Sequence, residues 1–185
     1  MLPPPHRSDP AHPMSRLDSF IRRTMAQRDC LNEAARLIAE IPGPVLEFGL
    51  GNGRTYDHLR VLFPEREIFV FDRQIAAHPD CVPDPAHMVL GDIHETVRRA
   101  PERILARAAL AHCDIGTGDK IASAALAAWL APALRPLLAP GAVVVCDQES
   151  LRCEGFSLLP LPDGVCAGRY FMLRLDTVPA GGSSP

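Results

Sequence analysis

The chain has 185 residues, of which 47% are hydrophobic and 22% charged, and its formal net charge is −3 at pH 7. This length suits one domain with a short extension and leaves no comfortable room for two domains. Nineteen basic residues against twenty-two acidic ones argue against the broad basic surface that binds nucleic acid or an anionic membrane. The size allows a catalytic fold but leaves little for anything appended to it.

The ends of the chain and its cysteines bear on location. No stretch approaches the ~18 consecutive apolar residues of a membrane span, and residues 1–13 have no apolar segment of a secretory signal. The six cysteines form no C-x-x-C pair and no metal spacing with histidine, so we expect reduced thiols in the cytoplasm. We predict a domain at 14–176 between disordered tails at 1–13 and 177–185, which are rich in Pro, Gly and Ser.

The first predicted element is an N-terminal helix between Ser15 and Ile41, within a helical extension at 14–42. Its apolar residues recur at three- and four-residue steps, and Ser15 with Asp18 is typical of a capped helix start. The helix either covers a ligand pocket as a lid or packs against a second subunit, and the sequence does not choose between the two. Dimerisation commonly completes so small a protein, so we expect a homo-oligomer.

Short apolar runs alternate with helical segments over the sheet core at 43–176. The pattern predicts parallel strands at 45–48, 68–71, 87–90, 110–113 and 142–146, with helices at 54–63, 93–99 and 119–138. The last two runs, 156–161 and 169–175, have no room for a helix between them and predict an antiparallel hairpin. We therefore expect an α/β fold, a single doubly wound, mostly parallel seven-stranded sheet that ends in this hairpin.

Three glycines at alternate positions follow the first strand, in the segment Glu47-Phe48-Gly49-Leu50-Gly51-Asn52-Gly53. Glycines at such a turn let a ligand lie against the main chain, where a Cβ would collide. The start of the following helix favours an anionic or electron-rich group. The dinucleotide fingerprint is G-x-G-x-x-G, whereas here the third glycine comes one residue earlier and an acid precedes the first glycine by two.

The pattern E-x-G-x-G-x-G after a buried strand resembles motif I of the class I S-adenosylmethionine-dependent methyltransferases, and the chain is similar to their small bacterial branches. The resemblance implies a Rossmann-like fold with S-adenosyl-L-methionine as cofactor. It implies that Glu47 helps to hold the amino group of the cofactor. It also implies that the methionine and ribose parts lie against the glycine loop, formed by Gly49, Leu50, Gly51, Asn52 and Gly53.

Acids also end the second and third predicted strands. A carboxylate at Asp72 can accept two hydrogen bonds from a ribose diol, and the resemblance implies that Arg73 lines the adenine. Gly91-Asp92-Ile93 resembles the adenine-binding motif of the superfamily, with Asp92 accepting from the exocyclic amine and the Ile93 N–H meeting a ring nitrogen. Capping of the next helix is the alternative explanation for Asp72, and ordinary turn chemistry of a strand-end Gly-Asp is the alternative for Asp92. Pro140-Gly141-Ala142 resembles the turn into strand five, so the resemblance covers 43–175.

Asp114 and Asp147, after the fourth and fifth strands, are the predicted catalytic residues. Ligands of open α/β sheets bind beyond the carboxyl ends of the strands, and methyl transfer depends mainly on holding a nucleophile in line. A hydroxyl or amine acceptor must lose a proton, which Asp114, Asp147 or less readily His112 can accept. We also expect Asp114 to contact the cofactor, and helix capping is again the alternative.

Two features of these strand ends bear on the acceptor. Asp114 with Asp147-Gln148 resembles the metal site of catechol-type O-methyltransferases, but Gln148 is one methylene longer than the Asn of that family, so we predict no metal ligands. The Asn/Asp-Pro-Pro-Tyr loop that serves nucleobase amines is absent after strand four. Together with the acidic net charge, this predicts a small-molecule acceptor and neither a nucleic-acid nor a membrane partner.

The sequence thus predicts methyl transfer to an O- or N-nucleophile of a small molecule by in-line displacement. Two alternatives from other classes stay open. One is a non-catalytic module that binds S-adenosylmethionine, and the other is a nicotinamide-dependent oxidoreductase, which the glycine spacing, Glu47 and the hairpin oppose. The identity of the acceptor, the methylated atom and the need for a divalent metal are not determined by the sequence.

Overall fold

The computed structural model describes residues 14–177, so the predicted tails at 1–13 and 178–185 lie outside the described residues. The strands are β1 Val45–Phe48, β2 Ile68–Asp72, β3 Met88–Leu90, β4 Ala108–Cys113, β5 Leu138–Cys146, β6 Phe156–Leu158 and β7 Phe171–Leu175. The helices are α1 Arg16–Leu37, α2 Arg54–Leu62, α3 Ile93–Arg99 and α4 Lys120–Leu134. None of the helices within 14–177 is both long and apolar enough to cross a bilayer.

The seven strands form one sheet in the order β3-β2-β1-β4-β5-β7-β6. Strands β1 to β5 are parallel, and β7 runs antiparallel to both β5 and β6. The predicted mostly parallel, doubly wound sheet with a terminal hairpin is therefore confirmed. The order reverses direction between β1 and β4, which places a crevice at their carboxyl ends.

Both faces of the sheet are covered by helices, which explains the continuous apolar strand sequences. One layer packs α3 and α4 against side chains such as Phe48, Phe71 and Val144. The other packs α1 and α2 against side chains such as Leu110 and Val143. The rigid core lies directly beneath the carboxyl ends of the strands, where the site forms.

Helix α1 begins as predicted but ends earlier than Ile41. The Ser15 hydroxyl accepts a hydrogen bond from the Asp18 N–H at 3.0 Å, and the Asp18 carboxylate accepts one from the Ser15 N–H at 3.2 Å, which completes a capping box. At the other end, the Arg66 guanidinium donates to the carbonyls of Ile38, Ala39, Ile41 and Gly43. Because Arg66 supplies hydrogen bonds to these carbonyls, they need no partners from a further helical turn, and α1 can end at Leu37.

The predicted helix over 119–138 is too long at its C-terminal end. Helix α4 stops at Leu134, a short 3-10 turn covers Arg135–Leu137, and β5 already begins at Leu138. The early start of β5 is possible because the register shifts between Ala108 and Leu110 of β4. Such a shift accommodates extra residues of the partner strand as a bulge. The predicted turn at Pro140-Gly141-Ala142 therefore lies within β5.

The two halves of α1 differ in burial. Ala26, Cys30, Leu31 and Ala34 in the second half are buried against the sheet. The first half leaves four large apolar side chains substantially exposed: Leu17, Phe20, Ile21 and Met25. The helix is therefore anchored by its second half, while its first half offers an uncovered apolar surface.

Candidate cofactor and acceptor site

Two adjoining cavities open at the carboxyl edge of the sheet. The first cavity, about 420 Å³, lies between the ends of β2, β3 and β4 and the start of α3. The second cavity, about 480 Å³, lies between the glycine loop, α1 and α2. Both volumes fall within the usual range for small-molecule sites. Gly49, Gly51, Asp114 and Gly116 border both cavities, so one elongated ligand can occupy part of each.

The three glycines of the loop all have positive φ angles, of 95°, 51° and 84° for Gly49, Gly51 and Gly53. A Cβ on Gly49 would collide with the Asp114 carbonyl oxygen, and one on Gly53 would lie 2.5 Å from the Cys81 Cβ. A Cβ on Gly51 would meet no described atom within 4 Å. Gly49 and Gly53 are thus required by the fold, whereas Gly51 leaves an open face toward the cavities.

Asp72 holds the glycine loop in place. Its Oδ2 accepts hydrogen bonds from the backbone N–H groups of Leu50 at 2.8 Å and Gly51 at 3.2 Å. Its Oδ1 accepts one from the Gln74 N–H at 3.2 Å. Asp72 and Arg73 also line the first cavity. The predicted ribose-binding acid therefore lies at the cavity and fixes the loop beside it.

Gly91, Asp92 and Ile93, which follow the neighbouring strand β3, also line the first cavity. The Asp92 Oδ1 accepts a hydrogen bond from the His94 N–H at 2.8 Å and caps α3. A carboxylate has two oxygens with several acceptor positions, so capping and ligand binding do not compete here. The structure thus gives Asp92 a capping role that the sequence analysis did not predict, and this role leaves room for ligand binding.

Glu47 lies beneath the glycine loop and does not line either cavity. Its side chain is fully buried, and its Oε2 is 2.7 Å from His112 Nδ1 across the β1–β4 pair. Its Oε1 is buried with no hydrogen-bond partner among the described residues. Burial raises the pKa of Glu47. Burial alone would lower the pKa of His112, but the Glu47 carboxylate beside it raises that pKa above the ordinary value.

Two residues that the sequence analysis did not place at the site extend this pair. The His112 Nε2 is 3.3 Å from the buried hydroxyl of Tyr170 and 3.4 Å from the Gln27 Nε2 of α1. Glu47, His112 and Tyr170 therefore form a polar row across the α1 face of the sheet. No signal in the sequence points to Tyr170, because its contact depends on how the terminal hairpin folds back.

Asp114 anchors the N-terminal helix. The Arg23 guanidinium donates to both of its carboxylate oxygens, and the Gln27 amide donates to its Oδ2 at 3.1 Å. Arg23 and Gln27 are four residues apart and so share one face of α1. That spacing of two polar residues within an apolar stripe is the signal by which the sequence could have assigned them to the site.

Asp147 lies just behind the point where the cavities meet. Its Oδ2 accepts a hydrogen bond from the Gln148 amide at 3.0 Å, and a Cβ on Gly116 would lie only 2.8 Å from the same oxygen. Its Oδ1 is buried with no hydrogen-bond partner among the described residues. Burial, and further the negative charge of Asp114, raise the pKa of Asp147. This carboxylate is therefore poised to take up a proton.

No group of three His, Cys, Asp or Glu side chains within 14–177 is arranged to hold a metal ion. Arg23 donates to both oxygens of Asp114 and so occupies the position that a cation would need. The Gln148 side chain is turned toward Asp147.

The structure brings most of the predicted site residues to the cavities. Those that line a cavity are Gly49, Leu50, Gly51, Asn52, Asp72, Arg73, Gly91, Asp92, Ile93 and Asp114. The three that lie behind the walls are Glu47, Gly53 and Asp147. A glycine loop with an open Gly51 and two neighbouring acids, Asp72 and Asp92, at the first cavity fit a ligand with ribose and adenine groups.

Residues 14–175 match a protein family described as S-adenosyl-L-methionine methyltransferase. The chain belongs to this family, and it is a class I methyltransferase that depends on S-adenosyl-L-methionine. A search of curated proteins finds no match to the chain. Family membership favours this class over the nicotinamide-dependent oxidoreductase that the sequence left as an alternative.

Solved structures support the same assignment. An S-adenosyl-L-methionine methyl transferase from Silicibacter pomeroyi DSS-3 is 44% identical, with a TM-score of 0.82 over 88% of this chain and 99% of that one. TrmN from Thermus thermophilus is 18% identical, with a TM-score of 0.55 over 84% of this chain and 52% of that one. The MycE methyltransferase of mycinamycin biosynthesis, solved with Mg and SAH, is 16% identical, with a TM-score of 0.55 over 89% and 49%. The last two similarities concern the fold.

Proposed function

We propose that this methyltransferase methylates an O- or N-nucleophile of a small molecule by in-line displacement. The observation that carries the proposal is the pair of cavities that meet at Gly49, Gly51, Asp114 and Gly116. The first cavity suits the adenosine part of the cofactor. The second, which α1 partly covers, leaves room beside the methionine part for an acceptor of modest size.

The bound cofactor supplies a methyl group on a sulfonium sulfur, and the residues of this chain supply positioning. In this proposal Asp72 accepts from the ribose hydroxyls, while Asp92 and Ile93 meet the adenine edge. The Glu47 Oε1 has no hydrogen-bond partner within 14–177, but Glu47 is fully buried and lines neither cavity, so in this proposal it meets the amino group only after the glycine loop above it moves. Gly51 lets the cofactor approach the main chain.

The acceptor class can be tested by fractionation. Purified protein and S-adenosylmethionine are incubated with a small-metabolite filtrate or with total RNA from the same bacterial extract, and S-adenosylhomocysteine is measured. We expect the product with the filtrate. Product with RNA alone would contradict a small acceptor, and cofactor binding without turnover in any fraction would favour the non-catalytic module.

We infer that Asp147, which lies directly behind Gly116 and lines neither cavity, accepts the proton of the acceptor through one intervening water. Both oxygens of Asp114 already accept hydrogen bonds from Arg23, and one also accepts from Gln27, so this carboxylate is occupied in anchoring α1. Asp147 forms no ion pair with any residue between 14 and 177, and burial raises its pKa. We therefore assign the proton transfer to Asp147 and the anchoring of α1 to Asp114.

This assignment predicts a pH dependence with a defined sign. Asp147 must be unprotonated to accept a proton, so kcat should fall as the pH drops through the pKa of Asp147, which burial raises above its ordinary value. Asp147→Asn should lower kcat by about 10²- to 10⁴-fold, as expected for loss of a general base. The control is Glu149→Gln, which changes an exposed acid two residues away. A full rate with Asp147→Asn would overturn the assignment.

We also infer that the chain forms a homodimer through the first half of α1 and that it works in the cytoplasm. The exposed Leu17, Phe20, Ile21 and Met25 support an interface, because a cluster of large apolar side chains is costly to leave in water. All six cysteines are free, which supports a reducing compartment. The contact of Arg23 with Asp114 also supports a role of α1 as a lid, because it holds the helix against the second cavity.

A further inference from the structure

The walls of the second cavity are more basic than the chain as a whole. They carry Arg23, Arg28 and Arg54, with Asp114 as the only carboxylate among the lining residues. Arg23 and Asp114 form an ion pair and offset each other. Two positive charges therefore remain at this cavity, in a protein whose formal net charge is −3.

Arg54 is the cation best placed to receive a ligand. It forms no ion pair with any carboxylate between residues 14 and 177. Its guanidinium carbon lies 5.8 Å from the centroid of the Phe20 ring, a distance at which the ring face attracts the cation. A guanidinium that rests beside an aromatic ring keeps its planar set of N–H donors for a carboxylate or phosphate.

Arg28 adds a second charge that can be redirected. It pairs with the neighbouring Asp29 at 2.8 Å, and its own side chain is 55% exposed. Exposed ion pairs of this kind contribute little, so little is lost when Arg28 turns to a ligand. Burial, and further the charge of Arg28, lower the pKa of His58, whose Nε2 is 2.9 Å from Asn32. His58 thus serves as a neutral wall residue.

We propose that the methyl acceptor carries a carboxylate or phosphate group, which Arg54 binds with help from Arg28 at the α1–α2 side of the second cavity. The reacting hydroxyl or amine then lies at the other end of the acceptor, toward Gly116 and Asp147. Phe20 and Leu31 of α1 line the same cavity and contact the apolar part of the molecule. This proposal rests on the proposed small-molecule function and names its substrate class.

The test uses protein saturated with S-adenosylhomocysteine, so that the carboxylate of the cofactor is already in place. Benzoate, phenyl phosphate and the neutral benzyl alcohol are titrated into this complex by calorimetry. We expect one or both anions to bind, and benzyl alcohol to bind about tenfold more weakly or not at all, as hydrogen bonds to charged groups predict. The stronger of benzoate and phenyl phosphate identifies the group.

Variants assign the binding to the proposed residues. Arg54→Gln should weaken anion binding by about tenfold and Arg28→Gln by a smaller factor, while the affinity for S-adenosylhomocysteine is retained. The matched control is Arg36→Gln, since Arg36 is exposed on α1, pairs with Glu33 and does not line the cavity. Both arginines of interest are exposed, so the variants should fold.

Three outcomes would overturn the proposal. The first is equal binding of benzyl alcohol and the anions. The second is a loss of S-adenosylhomocysteine affinity in Arg54→Gln as large as the loss of anion affinity, which would assign Arg54 to the cofactor. The third is tight, strongly salt-dependent binding of a short oligouridylate that needs both arginines. Only the third, together with methylation of RNA in the fractionation experiment, would also contradict the small-molecule function.

Discussion

At the scale of single residues, the three glycines of the cofactor loop have different tasks. Gly49 and Gly53 lie where any Cβ would collide with neighbouring chain, while Gly51 faces open space. A substitution at Gly51 therefore tests the ligand-binding role of the loop, and one at Gly53 tests its packing. The sequence motif alone does not separate these roles, because all three positions are simply glycine.

The first prediction concerns Gly51→Ala. An alanine at a φ of 51° is strained, so the substitution should lower the free energy of unfolding by about 1–2 kcal/mol. The affinity for S-adenosylhomocysteine should drop strongly, because the new methyl group takes up space that the ligand needs. Gly53→Ala, the matched comparison, should destabilise the protein more, since its Cβ would press on Cys81. Urea denaturation and calorimetry measure the two effects. Unchanged cofactor affinity in Gly51→Ala would show that the ligand does not approach this glycine.

The buried Glu47–His112 pair supplies the second prediction. His112→Leu leaves a carboxylate buried without its partner and should cost about 3–5 kcal/mol of stability. A double variant, Glu47→Met with His112→Leu, should recover most of that loss, because an apolar pair of similar volume removes the desolvation penalty. Urea denaturation of the two variants provides the measurement. A double variant as unstable as the single one would mean that packing, and not the pair, accounts for the loss.

The sequence predicts the positions of the strand-end acids better than their partners. Asp72, Asp92, Asp114 and Asp147 all lie at the carboxyl edge, since the position of an acid at a strand end follows from the topology. The partner of Glu47 is His112, 65 residues away. Their contact depends on the lateral pairing and register of β1 with β4, which no local pattern contains.

At the scale of elements, α1 combines a packed half with a half that is tied down by side-chain contacts. Its second half is held by burial and by the hydrogen bond of Gln27 to Asp114, whereas its first half depends on the contact of Arg23 with Asp114. The sequence left open whether this helix is a lid or an interface. Its observed contacts make it part of the wall of the second cavity.

The third prediction concerns this attachment. Arg23→Gln should raise hydrogen exchange over residues 16–25 by about fivefold, which corresponds to loss of a partly exposed ion pair of at most about 1 kcal/mol. Exchange over residues 26–37 should stay unchanged because that half is buried. The neighbouring Arg22→Gln serves as the control, and mass spectrometry resolves the two segments. Equal exchange in both variants would show that Asp114 does not hold the helix.

The order and type of the elements were predictable because local patterns carry them. Apolar runs of four or five residues between helical segments define a parallel sheet without reference to tertiary contacts. The boundaries that failed depend on distant groups: Arg66 satisfies the carbonyls after α1, and the bulge in β4 admits the early start of β5. These interactions join segments that are far apart in the sequence, so periodicity cannot show them.

At the scale of the whole molecule, charge and apolar surface are distributed unevenly. The net charge is negative, yet the second cavity is lined by three arginines, and the exposed apolar side chains of α1 lie on one helix. The overall composition shows neither the arginines of the second cavity nor the exposed apolar side chains of α1. The low basic content still argues against an extended nucleic-acid surface, but the folded chain adds a local site for a small anion.

The fourth prediction concerns self-association. Leu17→Glu with Ile21→Glu should convert the dimer into a monomer, since each apolar contact is worth about 2 kcal/mol and occurs twice in a twofold interface. Leu105→Glu alters a leucine that is even more exposed but lies elsewhere and should leave the proposed dimer intact. Sedimentation equilibrium distinguishes the two states. A monomeric parent protein would rule out this interface.

The place of β7 in the sheet has a consequence for synthesis. This strand is the last of the seven in chain order, yet it lies between β5 and β6, and Tyr170 just before it completes the polar row of Glu47 and His112. Domains form as their segments emerge from the amino end onward. A nascent chain that lacks β7 exposes the edge of β5 and leaves the Nε2 of His112 without its tyrosine neighbour. The final residues of the domain thus close the sheet and the floor of the active site in a single step, so an early stop codon removes both.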